Sequence, residues 1–158
     1  MSRMIENPTC PHTIAKVLML LNASEIRQVE VLPTQGQIMD KQAIELPGAA
    51  KYGPYSAGVQ SGDMFWLSGQ IAVDFDGVKA QTQGALDKID TLLTNAGLTR
   101  KNICFAQILL DDFNDFAAMN EVYGAWVSEL SVKPARAAFA AAALPAGALV
   151  EIVVQGTR

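Results

Sequence analysis

The stretch from Lys133 to Glu151, KPARAAFAAAALPAGALVE, places one guanidinium, that of Arg136, among small and apolar side chains. A segment with so little charge has to pack against other parts of a protein. Burying a charge within it is costly unless a partner compensates the charge. The segment therefore predicts either a carboxylate partner for Arg136 elsewhere in the fold or an anionic ligand that completes a site.

Strand patterns flank this segment and recur earlier in the chain. Residues 59–73 predict a β-hairpin that turns at the Ser-Gly-Asp of residues 61–63, with apolar residues on either side. Trp66, within that hairpin, is predicted to lie in the core. Further strands are predicted over 102–112 and 148–156, which are rich in Ile, Val, Phe and Leu.

Two amphipathic helices are predicted between these strands. Residues 78–98 carry apolar side chains at three- and four-residue steps and end at Gly97, which is typical of a left-handed helix cap. A second helix is predicted over 113–130, with Asn114 as its N-cap and Trp126 on its buried stripe.

The alanine-rich residues 135–143 are ambiguous between helix and strand. Alanine is the best helix former, and Pro134 and Pro145 are suited to begin and end a helix. Nine residues is marginal for a helix, however, and tertiary packing often overrides intrinsic propensity.

Composition excludes several classes of protein. The 158 residues suffice for one domain with a sizeable core, and a net charge of −4 without any Lys/Arg cluster argues against nucleic acid as a partner. Cys10, Cys104 and the single histidine, His12, have no metal-ligand spacing, so we expect no metal site. No segment has the length and composition of a membrane span or a signal peptide, and we expect a cytoplasmic protein.

Residues 1–40 differ from the rest and are predicted to be an N-terminal extension of unknown role. Residues 13–28 could form a short amphipathic helix, and a weak strand and turn follow. Met39 is a candidate alternative start. Residues 41–158 are predicted to form the domain that carries function.

Five short motifs then fall in the order and spacing of a known family. They are GPYS (53–56), LSGQI (67–71), NDFAAMNEVY (114–123), PAR (134–136) and LPAGALVEI (144–152). The chain resembles the RidA/YjgF family, the reactive-intermediate imine deaminases formerly described as endoribonuclease L-PSP, over about residues 42–157.

The resemblance implies an α+β fold like the chorismate mutase of the Bacillus type. A mostly antiparallel sheet would carry two helices on one face, and three subunits would associate into a barrel-like homotrimer. In that family the Arg136 segment is a strand, so the resemblance predicts strand over 136–143.

The resemblance also implies an activity, the hydrolysis of 2-imino acids such as 2-iminobutanoate and 2-iminopropanoate to 2-keto acids and ammonia, without metal or organic cofactor. Two alternatives stay open: a non-catalytic trimer that binds small keto acids, and a ribonuclease or translation inhibitor.

Residue types suit the implied chemistry. Arg136 offers a planar fork that grips a carboxylate through two hydrogen bonds. Glu151 is the candidate to activate water or to relay a proton to the leaving amine. The family match adds the hydroxyl of Tyr55 as a further catalytic group that holds the water or the substrate.

Three further positions match the substrate-binding residues of the family. They are Gly69, whose backbone would face the ligand, Asn120 on the second helix, and the backbone at Ala138. The family commonly has Cys or Thr where this chain has Ala138, and Gln where it has Ala57, which leaves substrate preference open.

Chain geometry restricts how Arg136 and Glu151 can meet. If the last two strands formed a tight hairpin, position 151 would face about 142, some ~20 Å along the strand from Arg136. The two side chains would then belong to one site only across a subunit boundary, which we predict.

Overall fold

The computed structural model describes residues 40–48 and 53–158. The helix predicted over 13–28 and the strand and turn after it lie outside the described residues. No helix within the described part of the chain is long and apolar enough to cross a membrane.

The described elements alternate as the sequence patterns predict. In chain order they are β1 (Gln42–Ile44), β2 (Gly58–Ser61), β3 (Met64–Gln70), α1 (Val78–Asn95), β4 (Ile103–Leu110), α2 (Phe116–Trp126), β5 (Ala135–Ala140) and β6 (Val150–Thr157). The hairpin of β2 and β3 turns at Gly62, whose φ of 58° lies in the left-handed region that glycine tolerates best.

One mixed sheet joins the six described strands in the order β1-β2-β3-β6-β4-β5. All neighbours are antiparallel except β4 and β5, which are parallel and are connected through α2. A parallel pair needs such a crossover, because a tight turn can only join antiparallel strands. The predicted α+β fold with a mostly antiparallel sheet is confirmed.

Helix α1 ends as its sequence predicts. Gly97 adopts a φ of 68°, its N–H donates to the carbonyl of Thr94 at 3.0 Å, and the N–H of Leu98 donates to the carbonyl of Leu93 at 2.8 Å. Leu98 is buried beside the helix. These bonds satisfy carbonyls that the end of a helix leaves free, and they form a Schellman cap.

Helix α2 is shorter than predicted, and Asn114 does not cap it. A 3-10 turn, Phe113–Asp115, precedes the helix, and the Asp112 side chain accepts a hydrogen bond from the N–H of Asn114 at 2.9 Å. The prediction that Asn114 is the cap is wrong, because the carboxylate two residues earlier already holds the free N–H at this chain entry.

The core lies between the two helices and one face of the sheet. Every second residue of the central strands faces the helices, and these residues are fully buried. They include Phe65, Leu67, Ile108, Ile152 and Val154. Alternation places Trp66 on the other face, where it is 42% exposed. The prediction that Trp66 lies in the core is therefore wrong, whereas Trp126 is buried as predicted.

The alanine-rich segment is the edge strand β5, which confirms the strand prediction although the strand ends at Ala140. Its residues pair with β4 from Phe105 opposite Ala135 to Leu110 opposite Ala140. Only Ala138 within β5 is partly buried. Pairing with β4 overrides the helix propensity of alanine, and the outer edge of β5 has no neighbouring strand in the described chain.

Candidate active site

A pocket of about 750 Å³ opens beside the end of β3 and the start of β6. It brings together three of the predicted site residues, Tyr55, Gly69 and Glu151. Its other lining residues include Leu46, Gly48, Gly53, Ser68, Gln70, Ile71, Val73, Asp74, Lys88 and Pro145.

Glu151 lies on the face of the sheet that the helices do not cover. It pairs with Leu109 of β4, while its neighbours Val150 and Ile152 are buried on the helix side. Burial raises the pKa of the Glu151 carboxyl above its ordinary value of 4.5, because desolvation disfavours the charged form. A carboxyl group with such a raised pKa is suited to exchange protons with a bound substrate.

The carboxyl group of Glu151 packs directly against the backbone of Gly69. A Cβ built on Gly69 would lie 1.6 Å from Oε1 of Glu151, a distance that no side chain allows. The glycine is therefore required for close approach of the carboxyl group to the backbone, and not for a tight turn.

Hydrogen bonds fix the end of β3 and the loop that carries Tyr55. The Ser68 hydroxyl donates to the carbonyl of Ser56 at 2.7 Å, and the Ser68 N–H donates to the carbonyl of Ala57 at 2.9 Å. The Gln70 amide donates to the carbonyl of Ser68 at 2.7 Å, next to an irregularity in the pairing of β3 with β6. Tyr55 itself is 42% exposed at the pocket.

Arg136 lies in a second group of residues, on α2 and β5. Its Nη1 donates to Oδ1 of Asn120 at 2.7 Å, and its guanidinium carbon lies 4.8 Å from the ring centre of Tyr123 and 5.8 Å from that of Phe116. Ala138 lies two residues further along β5, on the same face of the strand as Arg136. The guanidinium is thus held at one end by Asn120 and lies over aromatic rings, and its other N–H groups donate to no residue in 40–48 or 53–158.

The ring of Tyr123 packs against the guanidinium of Arg136. Its hydroxyl is buried and has no hydrogen-bond partner within the described residues. Burial raises the pKa of the Tyr123 hydroxyl, and the nearby positive charge of Arg136 acts in the opposite direction. Helical spacing places Tyr123 on the apolar stripe of α2, and spacing alone gives no sign of its contact with Arg136.

The two groups of residues do not meet within one chain. Because β4 lies between β5 and β6, the tight hairpin considered above does not form, and Arg136 is level with Ala106 and Val154. Both of those residues face the helices, whereas Glu151 faces away from them. Arg136 and Glu151 are therefore on opposite faces of the sheet, with Cα atoms about 14 Å apart.

Lys88 is the other residue that sequence reasoning missed. It lies off the apolar stripe of α1, which is typical of a solvated surface residue, yet it lines the pocket and its Nζ donates to the carbonyl of Ile71 at 2.7 Å. Only the packing of α1 against the end of β3 reveals this position. Among residues 40–48 and 53–158, no three His, Cys, Asp or Glu side chains are grouped so that they could hold a metal ion.

Known structures share this architecture. The YjgF gene product of E. coli aligns with 74% of this chain and 98% of its own, at a TM-score of 0.69 and 34% identity. E. coli TdcF, solved with bound serine, aligns with 74% of this chain and 98% of its own, at a TM-score of 0.66 and 32% identity. The mixed sheet and two helices thus define an α+β protein of the YjgF type.

Sequence relatives agree with the structural ones. A mouse 2-iminobutanoate/2-iminopropanoate deaminase is 38% identical over 117 residues, which cover 68% of this chain and 85% of that protein. A RutC family protein of Pyrococcus horikoshii is 36% identical over 120 residues, which cover 71% of this chain and 94% of that protein. The model of the family described as endoribonuclease L-PSP matches residues 47–157, and the chain belongs to this family.

Proposed function

We propose that this protein hydrolyses small 2-imino acids to 2-keto acids and ammonia, in a cleft that forms where copies of the chain meet. The observation that carries the proposal is the carboxyl group of Glu151, desolvated, of raised pKa and seated on Gly69 in a pocket. A mouse relative is named as a deaminase of 2-iminobutanoate and 2-iminopropanoate, which gives the substrate class.

Several residues divide the chemistry between them. Arg136 grips the substrate carboxylate and so orients the imine carbon toward the pocket. Glu151 accepts a proton from water as the water oxygen bonds to that carbon and passes it to the imine nitrogen, which gives a carbinolamine. It then moves the hydroxyl proton to the nitrogen, so that the C–N bond breaks, ammonia leaves and the C=O bond of the keto acid forms. The hydroxyl of Tyr55 and the backbone at Gly69 and Ala138 hold the water and the substrate in place.

A neighbouring copy of the chain is needed because one chain presents Arg136 and Glu151 on opposite faces. The face that carries Glu151 also exposes large apolar side chains: Met64, Trp66 and Phe139 are each more than 40% exposed. Exposed apolar residues on one face, next to the bare edge of β5, are typical of an interface. We propose that association through this face, in a homotrimer, brings the Arg136 of one copy to the Glu151 of another.

A coupled assay tests the activity. A threonine dehydratase generates 2-iminobutanoate, and release of the keto acid is followed with and without the protein. We expect faster release with the wild type, and a loss of about tenfold or more with Arg136→Ala, because charge-assisted hydrogen bonds are each worth about 1.5–3 kcal/mol. Binding of the keto acid without any acceleration would instead identify a non-catalytic metabolite-binding protein.

The family description names an endoribonuclease, which gives a second activity to test. The net charge of −4 opposes binding to phosphates, because such binding depends on clustered Lys and Arg. The same purified protein, tested for RNA cleavage at two salt concentrations, would separate this activity from the deaminase.

A further inference from the structure

The ammonium group of Lys88 is a second cation at the pocket that holds Glu151. It lines the same cavity as Gly69 and Tyr55 and is half-buried. Among the described residues, its one hydrogen bond joins Nζ to the carbonyl of Ile71 at 2.7 Å. An ammonium has three N–H donors, so two remain for other partners.

Among the described residues Lys88 forms no ion pair, although Asp74 and Glu151 line the same pocket. The one acceptor that Lys88 contacts among these residues is a backbone carbonyl, which is neutral, and the ammonium group lines the pocket without a counter-ion there. An ammonium group in this setting favours an anionic group on the ligand.

Lys88 lies within reach of a small substrate that is held at Glu151. Ile71 follows Gly69 by two residues, a span of at most about 7 Å, so Nζ lies roughly 10 Å or less from the surface on which Glu151 rests.

We propose that Lys88 binds the distal carboxylate of a 2-imino dicarboxylic acid, while Arg136 of the neighbouring copy binds the carboxylate next to the imine carbon. This inference rests on the proposed function, because it assigns the preferred substrate of the same site. The reaction is unchanged: water adds to the imine carbon, and the nitrogen leaves as ammonia. A substrate with two negative charges meets one cation at each end, with Glu151 between them.

Binding of product analogues tests the inference without any need for turnover. The probes are 2-oxopentanedioate and 2-oxopentanoate, which have the same carbon chain and differ by the distal carboxylate. We expect calorimetry to show about tenfold or tighter binding of the dicarboxylate by the wild type. Equal affinities, or tighter binding of the monocarboxylate, would overturn the inference without any mutant.

Two variants then assign the preference to Lys88. Lys88→Gln keeps a donor for the carbonyl of Ile71 but removes the charge, and we expect the affinity ratio of the two probes to fall to near one. Lys88→Arg keeps the charge, and we expect the ratio to be retained in large part. If both affinities fall equally in Lys88→Gln, then Lys88 binds the carboxylate that the probes share, and the inference is wrong.

The proposed function is measured separately. If 2-iminobutanoate is not hydrolysed but the wild type prefers the dicarboxylate and loses the preference in Lys88→Gln, the deaminase proposal fails and the ligand class stands. If 2-iminobutanoate is hydrolysed but the affinities are equal, the deaminase stands and the role of Lys88 is refuted.

Discussion

Arg136 and Glu151 belong to one sheet but lie on its opposite faces, with β4 between their strands. Arg136 is held over α2 by Asn120, and Glu151 rests on Gly69 on the face away from the helices. The two side chains therefore do not meet on one face within one chain. We predict that a reaction that needs both groups uses two copies of the chain.

Mixed oligomers test this arrangement directly. We expect Arg136→Ala and Glu151→Gln each to lose about nine-tenths or more of the activity alone, and co-expression of the two to restore roughly a quarter of it, as random pairing of subunits predicts for a site shared between two copies. The imine hydrolysis assay on co-purified oligomers gives the measurement.

A double variant provides the control for mixing. Co-expression of Arg136→Ala with a chain that carries both substitutions leaves no site with both groups, so it should stay inactive. Full inactivity of the first mixture as well, with oligomers shown to be mixed by mass spectrometry, would place both groups of each site in a single chain.

The fold could be predicted because its elements repeat regular patterns over many residues. The stripe of α1 and its end at Gly97, and the hairpin at Gly62, depend on local spacing alone. Strand β5 could not be predicted in this way, because alanine favours a helix and only pairing with β4 makes the segment extended. Its assignment came from the family resemblance.

The residues of the candidate site could be predicted, but their arrangement in space could not, because it too depends on long-range pairing. The resemblance supplied Arg136 and Glu151, but periodicity gave no sign that they face opposite ways, because strand order is set by long-range pairing. Helical spacing places Lys88 off the apolar stripe of α1, as in a surface residue, and Tyr123 on the apolar stripe of α2, as in a core residue. Their contacts, to Ile71 and to Arg136, come from packing between elements distant in sequence.

The raised pKa of Glu151 predicts how kcat/KM depends on pH. Its pKa is raised by burial, so the catalytic carboxylate should become protonated at a pH above the ordinary 4.5 of a glutamate. We expect kcat/KM for 2-iminobutanoate to fall as the pH drops through this raised value. A profile that is flat down to pH 4.5, in a protein that stays folded, would contradict the assignment of Glu151 as the base.

Stability gives an independent check of the same group. The carboxyl group of Glu151 binds its proton more tightly in the native state than in the unfolded chain. The free energy of unfolding of the wild type should therefore fall as the pH rises from about 4.5 through the raised native pKa. Glu151→Gln has no such proton and should be the more stable protein at neutral pH. Thermal unfolding of both proteins across that pH range, at one protein concentration, measures the difference.

Gly69→Ala should displace the carboxyl group of Glu151. The new Cβ would lie 1.6 Å from Oε1, and the end of a flexible side chain can move away where a backbone atom cannot. We expect a fold that is kept and a kcat/KM reduced by about tenfold or more, since small displacements of a catalytic group have large effects. Gly124→Ala, where a Cβ meets nothing within 4 Å, is the matched control and should keep full activity.

Tyr123→Phe should keep the stability of the fold but weaken substrate binding at the site. The buried hydroxyl has no partner among the described residues, so its removal should leave stability unchanged or raise it by about 1 kcal/mol. The ring under Arg136 remains, but its electrostatics change, and we expect a modest rise in KM. Urea unfolding checks the first expectation, and a loss of 2 kcal/mol or more would indicate a partner for the hydroxyl.

Asp90 ties α1 to the end of α2, far from the pocket. Its carboxylate accepts from Nε and Nη2 of Arg100 at 2.9 and 2.6 Å and from the indole N–H of Trp126, while Nη1 of Arg100 donates to the carbonyl of Trp126. Because the pair is partly exposed, Asp90→Ala should cost about 1–2 kcal/mol of unfolding free energy. Asp87→Ala, one turn earlier on the exposed side of α1, is the control and should cost less than half as much. Neither residue lines the pocket that holds Glu151, so imine hydrolysis by the folded protein should be unchanged in both variants. A loss of activity in Asp90→Ala alone would show that α2 transmits strain to Arg136.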